Sequence, residues 1–218
     1  MNSRKLVIVG TGGSGRETFN LLKEIEKVHP NRWNLKGFLA DKKPESVLFD
    51  RLQLPFLGHP GEVVKLHPEA EEWYFVVSIG ESNSRKYTES LLMQQGLKPA
   101  TLIHPSVICG SDVEIGAGSI VCANSVLTTN IQIGKSVQIN VGCVIAHDVI
   151  IGDYVTLAQS VNLAGQVKIE NHATLYTKST IIPKIKIGEN AIVGAGAVVI
   201  RDVLARETVT GVPARSRT

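Results

Sequence analysis

The sequence predicts two modules of different class: an α/β N-terminal part on a small parallel sheet, and an all-β C-terminal part wound as a parallel β-helix. From Ile115 to Val199 every sixth residue is Ile, Val or Leu, fifteen positions without a break. Neither an amphipathic helix nor an alternating strand repeats at six. Glycine follows the aliphatic residue at Gly116, Gly134, Gly152, Gly188 and Gly194. Ahead of this array, residues 5–10 form an apolar run that enters a glycine-rich loop and then a stretch of helical spacing.

In chain order, residues 5–10 read as a buried strand and Thr11, Gly12, Gly13, Ser14 and Gly15 as a loop. Phe19, Leu22, Ile25 and Val28 then form the apolar face of a helix. Residues 35–40 predict a second strand ending at Asp41, and residues 61–66 a short helix. Residues 73–79 predict a third strand ending at Gly80, and residues 85–95 a helix before Gly96. Alternating strands and helices imply a Rossmann-like parallel sheet with helices on its faces. Gly10, Gly12 and Gly15 satisfy G-x-G-x-x-G, which lets a pyrophosphate approach the backbone at a helix N-terminus. A tight strand-to-helix turn without a ligand uses the same glycines. Asp41, at the next strand end, stands where a ribose or base contact is expected.

The six-residue period takes over at residues 102–105, dividing the chain into domains 1–103 and 104–218. His104, before a proline at this joint, reads as a turn residue. In the second domain each hexapeptide supplies one short strand and one corner, and three faces close a triangular coil. Successive coils share strand hydrogen bonds at roughly 4.8 Å. Residues two before the aliphatic position, among them Ser119, Ser125, Val137, Cys143 and Val161, are small or β-branched. They suit tight corners or narrow interior positions. Eighteen residues make one coil, so Gly165 should lie directly above His147.

Composition narrows the function. A net charge of +3, with no basic run interleaved with aromatics, argues against nucleic acid as a partner. Three cysteines without a CxxC or His/Cys cluster suggest reduced thiols, no disulfide framework and no metal site. No apolar stretch reaches the 18 residues of a membrane span. The expectation is a soluble cytoplasmic protein without membrane insertion.

The glycine-loop module, His104-Pro105, the hexapeptides carrying Ile145-Ala146-His147-Asp148 and the final Gly211-Val212-Pro213-Ala214-Arg215 together resemble the bacterial sugar acyltransferases. The similarity, over the whole chain, is to sialic-acid O-acetyltransferases and to acetyl-CoA-dependent N-acetyltransferases of nucleotide-linked 4-amino sugars. It implies a left-handed coil, an exception to the usual crossover preference. It also implies a homotrimer, with acetyl-CoA in the groove between neighbouring β-helices and a nucleotide sugar reaching in from the N-terminal domain.

By this resemblance His147 is the general base, Asp148 holds its imidazole, and the Gly165 N–H faces the acetyl oxygen. A corner glycine of positive φ is the structural alternative for Gly165. Gly165, Thr177, Ala195 and Arg215 are the implied acetyl-CoA contacts, with Arg215 toward its phosphates. Thr11, Gly12, Gly13, Ser14 and Gly15 would cradle the sugar nucleotide, Asp41 and Lys42 would lie near its base, and Gly80 and Asn83 follow the third strand. Asn140 matches a polar position near the site. Thr156 departs from a second histidine found in some relatives, Tyr176 from the glycine after the aliphatic residue, and Lys184 from the glycine after Pro183.

The leading expectation is acetyl transfer to the 4-amino group of a nucleotide-linked deoxysugar, with O-acetylation of sialic acid as the nearest rival. An NAD(P)-binding protein that uses the coil only to trimerise lacks a hydride-transfer constellation. A trimeric zinc enzyme needs about three ligands, and inside the repeat only His147 and His172 appear, on different faces.

Overall fold

A computed structural model describes residues 3–43 and 47–217. The chain divides into two compact units, residues 1–102 and 103–218.

In the first unit β1 (Arg4–Val9) leads through the glycine loop into α1 (Gly13–Val28), followed by β2 (Trp33–Leu39). Short α2 (Val47–Asp50) and α3 (Val63–Leu66) precede β3 (Tyr74–Val77), α4 (Ser82–Gln94) and β4 (Lys98–Pro99). The sheet is parallel, in the order β2-β1-β3-β4. Leu6, Val7, Ile8 and Val9 are all buried, as expected of a central strand covered on both faces. The buried face of α1 is Gly15, Thr18, Leu21, Leu22 and Ile25. Val28, expected on it, is 56% exposed because the helix ends there.

The second unit is a left-handed parallel β-helix. Its three sheets pair residues eighteen apart, as in Val144 with Val126 and Asn162, and Ile145 with Leu127 and Leu163. Inward positions come in twos. Ile145, Leu157, Leu163 and Leu175 are buried, and so are Cys143, Val155, Val161 and Ala173 two residues earlier. The earlier set therefore fills the prism rather than its corners. The residue between each pair points outward, as Val144, Ile150 and Lys168 do. Each fully buried aliphatic side chain contributes about 1.5–3 kcal/mol, so the stacked interior supports a unit with few aromatics.

The turns are made by the third residue after each aliphatic position. From Asp112 through Asn130, Asp148, Gln166 and Lys184 to Gly196 it adopts a positive φ of 50–79°. Most of these residues are not glycine. Coil closure imposes the left-handed conformation on residues as bulky as Tyr154 and His172, which stack at 5.1 Å between ring centroids. Lys184 takes a φ of 67°, so a glycine there would sit without strain. Past the last coil, residues 208–210 pair with residues 192–193, and residues 215–216 return antiparallel along them.

Candidate active site

His147 occupies the corner after the strand Val144–Ile145, two residues past an inward side chain, so its ring lies outside the packed prism. The side chain is 57% exposed. The next residue, Asp148, makes the turn at φ 62°. In a strand, neighbours point to opposite faces. The corner instead brings Asp148 Oδ2 to 2.7 Å from His147 Nδ1. Asn130 Nδ2 donates to Asp148 Oδ1 at 2.6 Å from one coil below, and Gln166 holds the same corner position one coil above. These bonds, the one from His147 foremost and then that from Asn130, hold the Asp148 carboxyl below its ordinary range. As an ionised acceptor it favours the tautomer whose Nδ1–H donates to it, in which Nε2 keeps its lone pair.

Gly165 lies over that ring. A Cβ built there would fall 2.6 Å from His147 Cε1 and 2.7 Å from Nε2, so only glycine leaves room for the imidazole. Its φ is not left-handed. The corner residue is Gln166, at 63°, which replaces the positive-φ reading of Gly165 with one of close approach. No backbone carbonyl among the described residues accepts from the Gly165 N–H. An imidazole oriented by a carboxylate beside an amide with no backbone acceptor is an arrangement suited to acyl transfer.

The remaining expected residues of this unit lie elsewhere. Asn140, Thr177 and Ala195 line the preceding corner, after the strands Gln138–Ile139, Thr174–Leu175 and Ile192–Val193. Asn140 spends its amide on Leu157 O at 2.7 Å, and Thr177 bonds Gln159 at 3.1 Å. Arg215 is exposed on the terminal hairpin and donates to Ala214 O. Thr156 is buried, and Tyr176 is 48% exposed. His172 sits at the third corner, after Lys168–Ile169, apart from His147. His104 accepts on Nδ1 from the Ser106 N–H at 3.0 Å and contacts its hydroxyl at 2.8 Å, a local turn contact.

In the first unit Thr11, Gly12, Gly13, Ser14 and Gly15 wrap the N-terminus of α1. No side chain caps that helix, and Cβ atoms at Gly12 or Gly13 would meet open space, so a phosphate can approach. Gly15 is bare for packing, since a Cβ there would fall 1.9 Å from Gly10 O. By contrast α4 carries its own anion: the Glu81 carboxylate accepts from the Asn83 and Ser84 amides at 2.8 and 2.7 Å. The Asn83 amide, first among these contacts, holds the Glu81 carboxyl low. Gly80, Asn83, Asp41 and Lys42 are exposed, and Asp41 Oδ1 lies 3.5 Å from His59 Nε2.

Sequence reasoning missed several of these groups. They include His59, the Glu81 cap and Arg85, which is 1% exposed and donates to the carbonyls of Ile79 and Gly80 at 2.8 and 3.1 Å. Asn130 and Gln166 were also missed, although their eighteen-residue offset from Asp148 could have revealed them.

Residues 130–165 and 166–201 match the family described as bacterial transferase hexapeptide (six repeats), and residues 5–88 match the PglD N-terminal domain. WeeI from Acinetobacter baumannii AYE is 31% identical, with a TM-score of 0.86 over 99% of this chain and 100% of that one. PerB from Caulobacter crescentus, solved with CoA and GDP-perosamine, is 26% identical over 98% of this chain and 97% of its own, with a TM-score of 0.87. The acetyltransferase domain of PglB from Neisseria gonorrhoeae FA1090, solved with acetyl coenzyme A, is 25% identical over 99% and 100%, at 0.85. No curated protein sequence matches the chain. The chain belongs to the PglD-type nucleotide-sugar acetyltransferases of the hexapeptide-repeat class. No helix among the described residues is long and apolar enough to cross a membrane, and none of their acidic, His or Cys side chains gather as a metal cluster.

Proposed function

We propose that the protein transfers an acetyl group from acetyl-CoA to the 4-amino group of a nucleotide-linked deoxysugar. The observation that carries this reading is the His147–Asp148 pair, with the Nε2 edge of the ring against the bare Cα of Gly165. Relatives solved with CoA and a nucleotide amino sugar, or with acetyl-CoA, support it.

In the reaction, His147 Nε2 takes the proton of the attacking amine as the new C–N bond forms. Asp148 stabilises the resulting imidazolium, and the Gly165 N–H receives the charge gathering on the acetyl oxygen. The C–S bond then breaks, and the imidazolium returns the proton to the departing thiolate. The uncapped N-terminus of α1 is proposed to hold the pyrophosphate of the sugar nucleotide through residues 11–15. Asp41 and Lys42 would serve its base, with Gly80 and Asn83 alongside.

The assignment of Thr177, Ala195 and Asn140 to the same site requires a second chain. They line a different corner from His147, so a thioester that touches both corners lies in a seam between copies. A homotrimer supplies such seams, with Arg215 proposed at the CoA phosphates, and light scattering of the purified protein should give three chains per particle. The cytoplasm is the proposed location, in keeping with three free thiols.

The test incubates the protein with acetyl-CoA and a panel of nucleotide 4-amino sugars and sialic acids, reading thiol release. His147→Ala should cut turnover by about 10²-fold or more while CoA binding persists. Near-normal turnover would remove the base assignment.

A further inference from the structure

We infer that Asn130, one coil below Asp148, is a positioning residue that clamps its carboxylate so that it presents one oxygen to His147. The inference rests on the proposed role of His147 as base and extends the site beyond the residues that meet substrate.

The geometry carries it. Asp148 lies at an exposed corner, where a free carboxylate would rotate and meet water. Instead Oδ1 accepts from Asn130 Nδ2 at 2.6 Å and Oδ2 lies 2.7 Å from His147 Nδ1. With one oxygen tied to the coil below and the other to the neighbouring ring, the plane of the carboxylate is set, and with it the plane of the imidazole against Gly165. Gln166 follows at the same corner one coil above. Asn130, Asp148 and Gln166 all turn their corners with φ of 52–63°, which stacks their side chains in one column.

The chemical type of the clamp also matters. An amide donates to a carboxylate without carrying a charge, so Asp148 keeps its own charge for the imidazolium. A lysine or arginine in that place would pair with it as an ion. In the column, charge returns only at Asp112 and Lys184, each two coils, or about 10 Å, away. On the flanking strands the outward neighbours are Val144, Val126 and Asn162 on one side and Ile150, Gln132 and Lys168 on the other. Lys168 is therefore the one cation on these strands near the pair.

The test uses two variants of the full chain that both tolerate a left-handed corner, so the turn survives. Asn130→Gly removes the donor. Its kcat should fall by about five- to tenfold, as for loss of one charge-assisted hydrogen bond that sets geometry. KM for both substrates should stay unchanged. Asn130→Asp replaces the donor with a second carboxylate that favours the imidazolium. The acid side of its kcat/KM profile should therefore move to higher pH, a readout a merely structural role would not shift. Wild-type kcat in Asn130→Gly together with an unmoved profile in Asn130→Asp would overturn the clamp. If His147→Ala retained turnover, the underlying base assignment would fail instead, so the two failures are told apart.

Discussion

Replacing Gly165 by alanine tests the central geometry directly. The added methyl would lie 2.6 Å from His147 Cε1 and 2.7 Å from Nε2, where ordinary contact begins at 3.4 Å. The ring must withdraw by about 0.8 Å, and displacements of that order cost roughly 10²-fold in rate. Withdrawal also strains the 2.7 Å contact between His147 Nδ1 and Asp148. The backbone has no objection to alanine, because Gly165 does not hold a left-handed φ. Replacing glycine there even removes freedom from the unfolded chain, by about 0.4–1 kcal/mol, against an off-rotamer cost of about 0.5–1.5 kcal/mol for the ring. Gly165→Ala should therefore fold with a near-unchanged Tm while kcat for thiol release drops by about 10²-fold or more. The assay is steady-state thiol release from acetyl-CoA with the accepted amino sugar, beside thermal unfolding. A kcat within twofold of wild type, in a protein that unfolds normally, would refute the idea that the imidazole works where it lies.

Three further outcomes are expected. The Asp148 carboxyl is held low, first by the bond from His147 and then by that from Asn130. Its contribution to stability is thus present above the ordinary carboxylate pKa of about 3.9 and lost as pH falls through the depressed value. The Tm difference between wild type and Asp148→Asn should accordingly shrink toward zero in acid, and a gap that persists there would contradict the pairing. Burial pushes the Cys143 thiol up to about 11, so iodoacetamide at neutral pH should label exposed Cys109 and spare Cys143 until the coil unfolds, as read by mass spectrometry. In the first unit Gly15→Ala would drive a methyl to 1.9 Å from Gly10 O, and the clash of helix with strand should cost about 2–4 kcal/mol by denaturant unfolding. A neutral result would mean that the loop relaxes freely.

The aliphatic spacing was legible because it follows from exclusion of water, which acts the same way at every turn: Ile145, Leu157 and Leu163 are inside for one reason. The corner conformation was not. Left-handed backbone is usually announced by glycine or asparagine, but here Tyr154, Gln166, His172 and Lys184 adopt it because a triangular coil must close, and closure is a property of the coil rather than of any residue in it. The same gap explains why Gly165 invited two readings: a glycine's reason shows only when its neighbour one coil away is known. In the first unit the strand ends and the glycine loop were readable, whereas Glu81 and Arg85 look in sequence like two more surface charges. One caps a helix and the other lies 1% exposed under a carbonyl pair, contacts made across a turn that periodicity cannot see. The period nonetheless held more than was taken from it. The eighteen-residue step that sets Gly165 over His147 also sets Asn130 under Asp148, so applying the core's own repeat to the polar corner column is enough to find the clamp. In a β-helix the apolar stripe gives the architecture, and the stacked corners carry the chemistry.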